Sequence, residues 1–145
     1  MTALTKGRVT PEALGENREA QVAASQLIHT GAIVCRNAAG FAVKGATATG
    51  LVGLGCALTA ADNRTGGNGD ITAKYRPGSF RFANSAGGDE ITIAHVGDVC
   101  FVVDDQTVAR TDGSAARSPA GFVDFIDGQG VWVRFDEALT LVATA

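Results

Sequence analysis

Apolar and polar positions alternate along most of this chain in short runs, broken every several residues by glycine, asparagine or aspartate. Alternation with a period of two is the mark of a half-buried strand, whose successive side chains point to opposite faces. Residues 120–135 give the clearest instance. Two runs rich in Val, Ile and aromatics flank Asp127, Gly128, Gln129 and Gly130. Asp-Gly between such runs predicts a β-hairpin. The only tryptophan and three of the seven phenylalanines lie in it. Within the second run, Val131, Val133 and Phe135 share one face, and Trp132, Arg134 and Asp136 share the other. With the first trio in the core, Trp132 faces another sheet or another subunit. Trp132, Arg134 and Phe122 are therefore the candidates for sheet or subunit packing.

The same reading predicts strands over residues 31–36, 41–44, 49–59, 71–75, 79–83, 99–103 and 107–110, with shorter apolar runs between residues 22 and 28. Gly40 closes the turn between the first two, where a positive φ is needed. Gly50, Gly53 and Gly55 have the wrong order for a dinucleotide fingerprint and precede no helix pattern. They predict instead a bulged strand or a close backbone approach. Phe80 and Phe82 share one face. The one helix signal in the body is a single turn at residues 92–98, capped by Thr92 and ended by Gly97. Residues 136–145 are a mixed tail in which Leu139, Leu141 and Val142 can form a last edge strand. About ten short strands predict a mainly β protein: a small single-domain β-sandwich or barrel with at most one short helix.

Residues 1–20 break the pattern. Apolar residues are sparse and aperiodic, and Lys6, Arg8 and Arg18 are interspersed with Glu12, Glu16 and Glu19. Thr10 and Pro11 can start a helix, but Gly15 and Asn17 oppose it. The expected organisation is an extended N-terminal arm over residues 1–20 and a β-rich body over residues 21–145.

Composition narrows the class. At 145 residues one domain is expected, and 46% hydrophobic against 19% charged residues is globular rather than disordered. Twelve basic against 15 acidic residues leave a net charge of −3 with no basic block. A direct nucleic-acid grip is therefore disfavoured. No apolar run approaches the ~20 residues of a membrane helix, and no signal-peptide pattern is visible, so synthesis in a cytoplasm is expected.

Candidate chemistry is thin. Cys35, Cys56 and Cys100 form no CxxC pair and sit in apolar runs, as buried small hydrophobes do. The acidic loop at residues 62–70 lacks the spacing of a calcium loop and reads as a solvated turn. His29 and His95 lie in no nucleophile or metal motif. Were there a catalytic pair, Cys100 and His95 would be its candidates, but the expectation is no enzyme, no metal and no cofactor.

A resemblance carries the function further. Gly31-Ala-Ile-Val, Asn37-Ala-Ala-Gly-Phe, Ala48-Thr-Gly-Leu-Val-Gly, Val103-Asp-Asp-Gln-Thr-Val-Ala-Arg, Arg117-Ser-Pro-Ala-Gly-Phe-Val and Gly130-Val-Trp-Val occur in this order. Together they cover nearly the whole chain, which resembles the decoration, cement or minor capsid proteins of tailed-bacteriophage heads, closest to those of Mu-like transposable phages. The resemblance implies a β-rich structural protein on the outer capsid surface of the virion. It implies partners in the major capsid protein and in further copies of the chain, often as homotrimers. It implies that the arm lies along the major capsid protein, with Leu4, Lys6, Arg8, Val9, Pro11 and Arg18 as candidate contacts. The alternative is a small β binding module of the virion surface that takes a receptor or glycan through loops such as residues 62–70, without cementing anything.

Overall fold

The computed structural model describes residues 2–13 and 15–145. Met1 and Leu14, both within the segment read as the arm, lie outside the described residues. Among the described residues the chain forms twelve strands, two single 3-10 turns and one α-helix. The mainly β reading holds, and the strands divide into two packed bodies.

The first is a five-stranded antiparallel sheet. Its order is β1 (Arg18–Gln21), β7 (Thr72–Arg76), β5 (Val52–Ala57), β3 (Ile33–Arg36) and β4 (Ala42–Lys44). Val22, directly after β1, bridges Ala42 of β4, and Ala23 N–H donates to the Ala42 carbonyl at 2.9 Å. The two edges of the sheet are thereby drawn together. A two-stranded ribbon, β2 (Gln26–Ile28) with β6 (Ala61–Asn63), accompanies it. The second body is a closed barrel in the order β10 (Thr107–Ala109), β8 (Gly78–Asn84), β12 (Gly130–Phe135), β11 (Pro119–Asp127) and β9 (Val99–Val102). Parallel pairing of β8 with β10 sits in this otherwise antiparallel ring. Closure leaves the barrel no free edge on which another chain could pair.

Two cores follow. Val102, Val108, Val123, Val131, Val133 and Phe135 fill the barrel side, joined by Ile33 and Cys35. Val22, Ile28, Val34, Leu54 and Tyr75 fill the other. Ile33 and Cys35 thus face one core while Val34 faces the other. This is why residues 33–35 of β3 are an unbroken apolar run: a strand covered on both faces has no polar position to alternate with.

The predicted hairpin is β11–β12, with Asp127 opposite Gly130 and the Asp127 carboxylate accepting from Gln129 N–H at 2.7 Å. Its predicted inner face is correct: Val131, Val133 and Phe135 are all buried. The glycines of β5 mark a close approach, since a Cβ on Gly53 would fall 1.9 Å from the Ala120 carbonyl oxygen of β11. The turn closed by Gly40 has the expected positive φ, +95°.

Two expectations are corrected, the tail and the boundary of the arm. The tail is not an edge strand but helix α1 (Glu137–Ala143). Asp136 caps it by accepting from Leu139 N–H at 3.0 Å, and Glu137 is held by Arg36 at 2.6 Å. The helix thus gains its cap and its anchor at the same end, and Leu139, Leu141 and Val142 are left exposed. The single turn predicted after Thr92 is present, as the 3-10 turn Ile93–His95 with Thr92 at its N-cap. Finally, β1 begins at Arg18, so the last three residues of the segment read as an arm belong to the folded body.

Candidate functional site

The arm stands apart from everything else. Residues 2–13 adopt no helix or strand and are exposed throughout. Leu4 is 71% and Val9 95% exposed, so neither apolar side chain finds cover on its own body. Lys6, Arg8 and Pro11 are exposed as well. Arg18 is not with them: it pairs opposite Tyr75 in β1 and lines a cleft of about 300 Å³ with Leu54, Tyr75, Phe135 and Glu137. One residue earlier, the Asn17 side-chain oxygen accepts from Arg76 at 2.8 and 3.0 Å. The free segment therefore ends before Asn17, at a root fixed by β7.

The second group lies on the outer face of the barrel. Trp132 faces outward as alternation predicts, half-buried, but its own chain covers it. The Phe125 ring stacks on it with centroids 5.0 Å apart and planes at 15°. The Arg81 guanidinium lies 5.7 Å from its centroid on the neighbouring strand β8. Indole Nε1–H donates to Asp127 at 2.9 Å, and Arg81 approaches the same carboxylate at 3.6 Å. The hydrogen bond from Trp132, then those from the turn, hold the Asp127 carboxyl below the usual carboxylate range. Arg134 and Phe122 are cross-strand partners on this face, Arg134 exposed and Phe122 half-buried.

Local pattern does not single out Phe125 or Arg81, and it marks Asp127 only as a turn residue. Arg81 is accessible to the same parity argument that places Phe80 and Phe82 on one face. Phe125 is not. A bulge between Val123 and Phe125 inserts Asp124 and shifts parity, so Phe125 meets Trp132 instead of entering the core.

Trp132→Ala removes the stack, the cation–π contact and the hydrogen bond together, and should cost about 1–2 kcal/mol. The Asp127 carboxyl should then titrate higher. Because that group titrates lower folded than unfolded, its contribution is present at neutral pH and lost as pH falls through its folded titration range. Urea midpoints and carboxyl NMR titration check both effects; unchanged values in the variant would show that this face contributes nothing.

The remaining candidates are structural in character. Cys100 is fully buried, and desolvation pushes its thiol up to about 12, the same value as for Cys35. A thiol held neutral is a poor nucleophile. His95 Nδ1 accepts from Thr92 N–H at 2.8 Å, which spends that nitrogen on the local turn. In the acidic loop, Asp62 is paired with Arg64 at 2.8 Å, which lowers its carboxyl to about 2. Asp70 accepts from Gly67 N–H, Asn68 accepts from Ala24 N–H, and Asn63 is buried beneath the loop. These groups tie the loop down. Among the described residues no group of three or more His, Cys, Asp or Glu is arranged to hold a metal ion.

No family model, curated protein or solved structure shows a significant match to this chain.

Proposed function

We propose that this chain is a structural virion protein. It binds the outer surface of a phage head and cements neighbouring major capsid subunits against the pressure of packed DNA, with no catalytic role. The observation that carries the reading is the free arm: residues 2–13 present Leu4 and Val9 to solvent beside Lys6 and Arg8, on a body that offers them no cover. Such a segment suits strand addition to a partner, in which backbone hydrogen bonds supply affinity without a pocket. Ordering it costs about 1–2 kcal/mol per residue fixed, so many contacts must form together. Three arms on a homotrimer would add avidity of roughly 10²–10⁴-fold. A net charge near zero suits a protein on the outside of a shell, with no DNA to neutralise.

The test is deletion of residues 2–13, a cut that spares Asn17 and its bonds to Arg76. The truncated body should keep its thermal midpoint, while its occupancy on purified heads lacking the protein falls by roughly 10²-fold or more. Full occupancy by the truncated body would overturn the proposal.

A further inference from the structure

Where the first sheet meets the barrel, two adjoining clefts of about 280 Å³ each share Gly31 and Gln106. His29 and Asp105 line one, and Arg81 and Gln129 line the other. Together they make a groove whose far end, at Arg81, abuts the Trp132 indole. Four segments distant in sequence build it: the approach to β3, strand β8, the turn before β10 and the tip of the β11–β12 hairpin.

The backbone of this groove is fixed from both sides. The Asp105 carbonyl accepts from Ile33 N–H of the first sheet at 2.8 Å, and the Gln106 carbonyl accepts from Ala83 N–H of the barrel at 2.8 Å. Gln106 and Gln129 spend their backbone N–H groups on Asp104 and Asp127. Their side-chain amides, the His29 imidazole and the Asp105 carboxylate have no hydrogen-bond partner among the described residues. His29, Gln106 and Gln129 are exposed and Asp105 half-buried, so these groups face solvent from a backbone fixed on both sides, at the kind of junction between packed bodies where binding sites concentrate.

The chemistry of the lining selects the ligand. The one Arg or Lys lining the groove, Arg81, is already neighboured by Asp127, and Asp105 adds negative charge, so an oxyanion gains little. The small lining residues Gly31, Ala32 and Ala83 give no apolar depth to anchor a peptide side chain, and the closed barrel offers no strand edge to extend. Amides, a carboxylate, an imidazole and a guanidinium match groups that both donate and accept, as hydroxyls do. We infer that this groove binds an uncharged oligosaccharide. The inference stands apart from the cementing role, and neither depends on the other.

The experiment is an amide NMR titration of the full chain with maltohexaose, cellohexaose and chitohexaose at millimolar concentration, with inorganic phosphate as a fourth arm. At least one sugar should shift resonances confined to residues 29–32, 81–83, 105–106 and 129–132. Gln106→Ala with Gln129→Ala should weaken that binding by about tenfold or more, the loss expected for two hydrogen-bonding side chains. Both side chains lack internal partners, so the double variant should keep the parent's spectral dispersion. Should it not, Gln129→Ala alone, at the tip of an exposed turn, serves the same comparison. No shift with any of the three sugars, shifts centred elsewhere, affinity unchanged in the variants, or phosphate binding in place of sugar would each overturn the inference.

Discussion

Asn63→Asp should destabilise this protein by about 3–5 kcal/mol at neutral pH, the cost of an uncompensated buried charge. Asn63 is only 3% exposed. Its amide nitrogen donates to the carbonyls of Ala23 and Gly67, both at 2.9 Å, and of Val22 at 3.3 Å. A carboxylate has no proton to offer and would set negative oxygen against three carbonyl oxygens. The position matters because Val22 and Ala23 are where the chain leaves β1 to bridge β4 and draw the edges of the first sheet together. Asn63→Ala should cost less, about 1–3 kcal/mol, since it removes the donor without adding charge. The two variants are separable by pH. Burial raises the introduced carboxyl above its unfolded value of roughly 3.9, so the folded variant takes up a proton more readily than the unfolded chain. Its deficit is therefore full above the folded pKa and shrinks as pH falls through it, whereas the alanine variant's deficit does not. Urea unfolding at neutral and mildly acid pH measures this, and equal midpoints for parent and Asn63→Asp variant would refute the role given to Asn63.

The second large effect is expected from Gly53→Ala. The added Cβ would sit 1.9 Å from the Ala120 oxygen and 2.7 Å from its carbonyl carbon, so the obstacle is backbone that no rotamer change can move aside. β5 and β11 must separate, and with them the first sheet from the barrel. We expect a loss of at least about 3 kcal/mol, at the upper end of overpacking, or a thermal midpoint lower by roughly 10 °C for a chain of this length. Gly88→Ala, where a Cβ meets nothing within 4 Å, is the matched control and should stay within about 0.5 kcal/mol. Equal midpoints for the two variants would mean that the two bodies are not held by this contact. The consequence reaches function, because the cleft at the root of the arm and the polar groove are both lined from both bodies. Loosening their junction should weaken whatever either one binds, even with the arm and the groove residues intact.

These two positions also show how much was legible beforehand. The glycines of β5 announced a close backbone approach because a strand interior otherwise gains nothing from glycine. The sequence could not say that the approaching chain was Ala120, 67 residues away. Asn63 looked like one more turn residue in a polar loop. Its burial depends on Val22 and Ala23, just after β1, meeting the loop that follows β6, which no local pattern encodes.

Local periodicity settled what is local. It placed Val131, Val133 and Phe135 inside and Trp132 and Arg134 outside, set the hairpin turn, and isolated an arm with too few apolar residues to join a core. Period and turn chemistry act within a few residues, so one sequence suffices to read them. Tertiary structure decided the rest. It closed the barrel through a parallel β8–β10 pairing, gave Arg18 to β1 rather than to the arm, and turned the tail into a helix anchored on Arg36. It also set Phe125 on Trp132 through a bulge and assembled a polar groove from four remote segments. Those outcomes rest on pairings between residues far apart in the chain, where the gain of shared burial and satisfied backbone groups outweighs local preference.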